Sequence, residues 1–364
     1  MKLAIVAGEA SGDLHASEVL HELKRLSPGL VTFGIGGDLL AGEGMTLLHH
    51  AKEMGIVGLF NVLRHLRFFR RVFDELIARI EVEKPDAVLL VDYPDFNLRV
   101  AKRCRELGVK VLYYISPQVW AWRRGRVKQI AKRVDRMIVL FPFEETFYKE
   151  HGVPVTYVGH PLIDELAHVT RSPRGEVLRV ALLPGSRRGE VESLLPAMVD
   201  AIGLLRREQS IDATLVQAPT IQREQLERIV GNADIRIVPH RGGQSIADAD
   251  IALSSSGTAT LECAVVGTPV VVMYRLSPAT HWLAKRLVKL PHFSLVNIIA
   301  GKEVVPELLQ HEVTGERIAA EVWKLADPER YAATVRELED VRGKLGGPGA
   351  SRRTAEAIMS VLRT

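Results

Sequence analysis

The sequence predicts an α/β protein made of two Rossmann-like, doubly wound parallel-sheet domains that face a cleft. Short runs rich in Val, Ile and Leu alternate with longer helical patterns, as βα units and parallel sheets require. The alternation occurs twice, and a polar stretch from His168 to Glu176, holding Pro173 and Gly175, separates the two sets as a linker does. Strands are expected at Leu3–Ala7, Thr32–Ile35, Ala87–Val91, Val109–Ile115 and Arg136–Leu140 in the first set. The second set comprises Arg179–Leu183, Ala213–Val216, Ile235–Val238, Ile251–Leu253 and Val270–Met273. The expected domains are therefore residues 1–167 and 168–346. From Glu316 the pattern is helical to the end except at Gly346-Gly347-Pro348-Gly349, a hinge that lets the tail pack on its own first domain or exchange with a second copy in a homodimer.

With 364 residues, 47% of them hydrophobic, the chain can bury a sizeable core, and its length agrees with two domains. The two cysteines, Cys104 and Cys263, each sit in an apolar helical pattern, which excludes a disulfide framework and fits a reducing cytoplasm. The chain opens on a strand-like run, Lys2 to Ala7, with no charged leader or cleavage signal ahead of it. No apolar run approaches the roughly 18 residues of a membrane span, so any membrane is met from the side.

In an open parallel sheet, ligands bind beyond the carboxyl ends of the strands. The strand ending at Leu182-Leu183 stops at Pro184-Gly185, and Ser186 and Arg187 then open a long helical pattern. Such a helix mouth offers unpaired N–H groups, a positive dipole end and a guanidinium to a diphosphate. Similarly, Ile251–Leu253 runs into three serines ending at Ser256, then Gly257 and Thr258, where a second helix begins. Glu262 lies one turn into that helix, placed to accept hydrogen bonds from ribose hydroxyls. Either motif alone also reads as an ordinary strand-to-helix turn with capping serines; the two together point to a nucleotide-sugar.

Other segments after strands carry possible chemistry. Gly8-Glu9-Ala10-Ser11-Gly12-Asp13 is a Gly-rich turn leading to a helix near Leu14, without the lysine of a P-loop or full dinucleotide spacing, and reads as a sugar or acceptor loop. Asp92-Tyr93-Pro94-Asp95-Phe96-Asn97 places two carboxylates and an amide after the Ala87–Val91 strand. Asp95 reads as the cap of a helix beginning near Phe96, whereas Asp92 has no such local role and is the candidate general base. Ser116 to Arg123 holds two of the four tryptophans, Trp120 and Trp122, either as an acyl or sugar platform or as core. His160 and His240 also follow strand-like segments and read either as substrate contacts or, as a lone loop histidine more often is, as structural.

The net charge is only +4, yet Arg64, Arg67, Arg70 and Arg71 interleave with Leu63, Leu66, Phe68, Phe69 and Val72. A basic amphipathic helix of this kind lies on an anionic bilayer, or else is a solvated face over its own core. A second basic cluster runs from Arg123 to Arg133. No RNA- or DNA-binding motif accompanies either cluster, so nucleic acid is not an expected partner.

Taken together, Gly8 to Asp13, Asp92 to Asn97, Ser116 to Arg123, Leu182 to Arg187, Ser256 to Glu262, Pro291 to Asn297 and Pro306 to Gln310 resemble the lipid-A-disaccharide synthases, bacterial glycosyltransferases, in the family's order and through most of the chain. The resemblance implies a GT-B fold, with the last helix, about residues 347–364, crossing back to the first domain. It implies transfer from UDP-2,3-diacylglucosamine to 2,3-diacylglucosamine 1-phosphate, with inversion, into a β-1,6 disaccharide. A cytoplasmic enzyme peripheral to the anionic inner membrane, needing no metal or cofactor, is expected. Carried onto this chain, Asp92 is the base, and Gly185, Ser186, Arg187, Ser256, Gly257, Thr258, Glu262, Asn297 and Gln310 hold the nucleotide. Glu9, Ser11, Gly12, Asp95, Asn97 and Trp120 serve the acceptor and sugar, and Arg64, Arg67, Phe68, Phe69 and Arg71 the membrane. One departure is visible: Val296 stands where the family pattern has proline. Another GT-B enzyme, such as a UDP-sugar 2-epimerase, or one with a soluble acceptor, is the alternative.

Overall fold

The computed structural model describes residues 1–363 except 56–61, 122–123 and 277–290; within the described helices, the side chains of 55, 62–66 and 124 are outside the description. Among the described residues, seven strands form one parallel sheet: β1 (Lys2–Ala7), β2 (Val31–Gly36), β3 (Thr46–His50), β4 (Ala87–Val91), β5 (Lys110–Tyr114), β6 (Arg136–Val139) and β7 (Val155–Tyr157), in the order β3-β2-β1-β4-β5-β6-β7. Six more form a second parallel sheet: β8 (Leu178–Leu183), β9 (Ile211–Gln217), β10 (Arg236–Pro239), β11 (Ile251–Ser255), β12 (Val270–Tyr274) and β13 (Glu307–Leu309), in the order β10-β9-β8-β11-β12-β13.

Alternation along the strands sends side chains to opposite faces, and helices cover both, which is why the central strands read as unbroken apolar runs. On one face of the first sheet, Ala4, Val6, Val88 and Leu90 pack with Val72, Leu76 and Ile80 of the Val62–Glu83 helix and with Phe96 and Cys104 of the Pro94–Glu106 helix. On the other, Leu3, Ile5, Leu89 and Val91 meet Val19, Leu20 and Leu23 of the Ala10–Leu26 helix and Ile358 and Met359 of the Ala350–Leu362 helix. The C-terminal helix thus packs within the first unit. In the second sheet, Val180, Leu182, Leu215 and Leu253 pack with Leu194, Met198 and Ile202 of the Arg188–Leu205 helix. Cys104 and Cys263 are both buried and unpaired.

The chain divides into residues 1–161 with 346–364, and residues 162–345. The change of unit falls at Pro161–Leu162, so the polar His168–Glu176 stretch lies inside the second unit and is not the linker the composition suggests. Its Ser172 donates to Asp248 at 2.8 Å, and Arg174 stands over the Tyr331 ring at 4.6 Å.

The strand order in each sheet reverses at one place, between β1 and β4 and between β8 and β11. Loops leaving these neighbouring strands diverge to opposite faces and open a crevice, the usual ligand position in such sheets. Gly8 and Asp92 follow β1 and β4; Pro184 and Ser256 follow β8 and β11.

Candidate active site

In the second unit, the loops after β8 and β11 line a cavity of about 340 Å³ with Gly185, Ser186, Arg187, Ser256, Gly257, Thr258 and Glu262 on its wall. The first helix starts at Arg188, two residues beyond the expected opening at Ser186, with Arg187 as its N-cap. No side chain caps this end or that of the Thr258–Val266 helix, whose N-cap is Gly257, and the first N–H groups of a helix have no partner within it. Two positive helix ends therefore border one cavity. Gly185 has φ +113°, and a Cβ there would lie 2.4 Å from Glu190 Oε2, so only glycine lets this turn close on Glu190. Arg187, 83% exposed along its side chain, gives its guanidinium to Glu190 Oε1 at 2.8 Å.

Glu262 is held differently. Its side chain is only 13% exposed, and Oε2 meets His240 Nε2 at 2.9 Å. His240 follows β10 and lines the same cavity, which favours the substrate-contact reading of this residue over the structural one. Glu190 does not stand out in the sequence, and His240 does so only for following a strand. The available signals were the i,i+3 spacing of Glu190 to Arg187 and the position of His240 at a strand's carboxyl end.

Three residues expected to hold the nucleotide support the cavity's surroundings through their side chains. Ser256 Oγ donates to the Phe293 carbonyl at 3.2 Å. Asn297 is fully buried: its Nδ2 donates to Val305 O at 2.8 Å and Glu307 Oε1 at 2.9 Å, and its Oδ1 accepts from the Val304 and Val305 N–H groups. That corrects the ligand assignment, because every polar atom of the Asn297 amide is engaged within the protein. Glu307 completes the arrangement by accepting from the N–H groups of Phe293 and Ser294. Gln310, with φ +57°, exchanges two side-chain hydrogen bonds with the Leu276 backbone and so anchors that strand end. Val296, where the family pattern has proline, is buried in the Leu295–Ala300 helix next to Asn297.

In the first unit, Asp92 ends β4 in an unusual turn. Asp92 and Tyr93 have φ of +45° and +47°, and two successive left-handed non-glycine residues persist only where their surroundings hold them. The Asp92 N–H donates to Tyr114 O at 3.0 Å, while its carbonyl accepts from Tyr113 Oη at 2.6 Å and Asn97 Nδ2 at 2.8 Å. Asn97 is fully buried and also donates to Val91 O at 3.1 Å, so it braces the turn and is corrected from sugar ligand to support. Gly8 makes room for Tyr93, whose ring carbon would lie 2.8 Å from a Cβ at that position. Burial, and then the charge of Glu9, push the Asp92 carboxyl up to about 6. A desolvated carboxylate near neutrality is suited to accept a proton.

The Gly-rich segment departs from expectation by turning helical early: the helix runs from Ala10, with Glu9 as N-cap, so Ser11 and Gly12 lie in its first turn. Ser11 and Glu9 are exposed and Gly12 is buried. The cap reading of Asp95 is corrected as well. The helix starts at Pro94 with Tyr93 as N-cap, and exposed Asp95 bonds Arg126 at 2.8 Å. Trp120 is 6% exposed, packs edge-on to Phe143 at 4.8 Å and donates Nε1 to buried Glu144 at 3.1 Å. This makes it core and removes it from the acceptor surface. Burial pushes the Glu144 carboxyl up to about 7 and His160 down to about 3, so the histidine is neutral and the carboxyl is far easier to protonate than an exposed one. Trp122 and Arg123 lie outside the described residues.

On the Val62–Glu83 helix, Arg67, Arg70 and Arg71 are exposed, whereas Phe68 and Phe69 are half-buried against the core, with Phe69 6.5 Å from Phe96. The two rings therefore do not form a free apolar face. Arg64's side chain lies outside the described residues. No described helix is long and apolar enough to cross a membrane.

Comparison with known proteins gives the family and the fold. The family model described as lipid-A-disaccharide synthetase matches residues 3–360. The lipid-A-disaccharide synthase of Geobacter metallireducens is 44% identical over 99% of this chain and 97% of its own, and that of Myxococcus xanthus 42% identical over the same shares. Among solved structures, Acinetobacter baumannii MurG covers 99% of both chains with a TM-score of 0.62 at 15% identity. Neisseria meningitidis UDP-GlcNAc 2-epimerase bound to UDP-GlcNAc covers 99% of this chain and 100% of its own with a TM-score of 0.65 at 13% identity, a likeness of fold. The chain is a GT-B glycosyltransferase and belongs to the lipid-A-disaccharide synthetase family.

Proposed function

We propose that the protein forms the lipid A disaccharide by direct, metal-independent displacement, with Asp92 as the base and the β8–β11 cavity as the seat of the UDP leaving group. The donor is UDP-2,3-diacylglucosamine and the acceptor 2,3-diacylglucosamine 1-phosphate. The acceptor 6-hydroxyl gives its proton to an Asp92 carboxylate oxygen as the O6–C1 bond forms. The bond from C1 to the diphosphate breaks, and its electron pair leaves with UDP on the opposite side of the sugar, which inverts the anomeric centre.

The observation that carries this reading is Asp92, a partly desolvated carboxyl raised to about 6 and fixed by a strained turn at the switch point of the first sheet. Negative charge accumulating on UDP is met by Arg187 and by two helix N-termini, preorganised donors that cost no rearrangement as charge develops. Incubation with the acylated donor and acceptor should yield disaccharide and UDP in equal amounts, unchanged by EDTA. No product from any acylated pair overturns the assignment, and loss in EDTA restored by a divalent ion overturns metal independence.

Acylated substrates reside in a bilayer, so the enzyme acts at the cytoplasmic face of the inner membrane, docked through Arg67, Arg70 and Arg71. Basic residues near an anionic surface contribute about 1 kcal/mol each. Replacing Arg67 and Arg70 with glutamate should therefore weaken sedimentation with anionic vesicles by roughly tenfold or more without lowering Tm. Equal sedimentation assigns this helix face to bulk solvent.

A further inference from the structure

We propose that His240 is a pH-sensitive positioning residue for nucleotide binding: it holds the Glu262 carboxylate for the ribose and keeps the cavity's charge from opposing the diphosphate. The inference rests on the β8–β11 cavity being the UDP seat.

Among the described residues, the charged groups lining the cavity come in two pairs: Arg187 with Glu190 at 2.8 Å, and His240 with Glu262 at 2.9 Å. Arg241, next in the chain, lines a separate hollow. With His240 neutral, one guanidinium stands with two carboxylates, so the described side chains carry a net negative charge that works against the two helix ends where a diphosphate must enter. A proton on His240 brings the net charge of these side chains to zero and leaves the helix ends unopposed. The charged ring always donates from Nε2 to Glu262 Oε2, whereas a neutral ring does so in only one of its two tautomers, and Oε1 is left for a hydroxyl donor. His240 is raised above its ordinary 6.5, first by its hydrogen bond to Glu262 and then by that carboxylate's charge, against partial burial. A raised histidine is charged below its shifted value, so the benefit is present at low pH and is lost as pH rises through it.

The test is calorimetric titration of UDP into the wild type and into His240→Gln, from about pH 5.5 to 8.5, comparing the two proteins at each pH so that ionisation of UDP itself cancels. At the acidic end the variant should bind roughly two- to tenfold more weakly, the range expected from one hydrogen bond, and the ratio should approach one at the alkaline end. With 2′-deoxy-UDP the acidic-end deficit should shrink, a response that a merely structural histidine does not produce. His240→Asn provides a second neutral variant if His240→Gln lowers Tm. A ratio that stays constant across pH overturns the proposal. Failure of the wild type to bind UDP at any pH overturns the nucleotide seat itself.

Discussion

Asp92→Asn is expected to lower kcat by roughly 10²–10⁴-fold, the usual share of general base catalysis, while leaving UDP-sugar affinity nearly unchanged. The amide keeps the size of the carboxyl and most of its hydrogen bonding but cannot accept the proton. The turn should survive, because Asn97, Tyr113 and Tyr114 hold Asp92 through its backbone and not its carboxylate. Melting curves check this: removing a partly desolvated charge should not lower Tm. Asp95→Asn is the matched control. Its carboxylate is exposed and bonded to Arg126, so turnover should stay within a few-fold of the parent. The opposite ranking of the two variants would transfer the base role to Asp95.

Arg187→Ala should weaken UDP binding by roughly tenfold or more, since a charge-assisted hydrogen bond contributes about 1.5–3 kcal/mol. Two features adjust that figure in opposite directions. Arg187 is 83% exposed and bonded to Glu190 without ligand, so binding exchanges one partner for another and solvent screens both. Truncation, however, also leaves Glu190 unpaired on the wall that a diphosphate approaches. The rate should fall further than the affinity, because charge on the leaving diphosphate is greatest in the transition state. Calorimetry with UDP decides the binding part, and an unchanged dissociation constant contradicts any contact between Arg187 and the diphosphate.

The central strands were legible because burial on both faces makes them continuous apolar runs, as in Ala87–Val91 and Val270–Met273. Three edge or short strands were not. Thr46–His50 ends in two histidines and is nowhere fully buried, and Val155–Tyr157 and Glu307–Leu309 are three residues long, too short for a period to register. The site was legible where it depends on local order: a strand, a glycine or proline, then a helix mouth. It was not legible where the function of a side chain depends on a distant partner. Trp120 becomes core because Glu144 receives its indole N–H, and Asn297 becomes a brace because Val304, Val305 and Glu307 surround it. Amide and indole groups look alike in sequence whether they face a ligand or the protein's own backbone. The His240–Glu262 pair spans 22 residues and two loops, so only the folded sheet brings it together.

The most direct test of the central claim is the pH dependence of kcat/KM for the acceptor, measured at low acceptor concentration in the wild type and in Asp92→Asn side by side. With the Asp92 carboxyl raised to about 6, the base form is present above that value and protonated below it. The wild-type rate should therefore rise tenfold per pH unit below about 6 and level off above it, and the residual rate of Asp92→Asn should lack that limb. A limb of the same slope and midpoint retained in Asp92→Asn contradicts Asp92 as the group that takes the acceptor's proton.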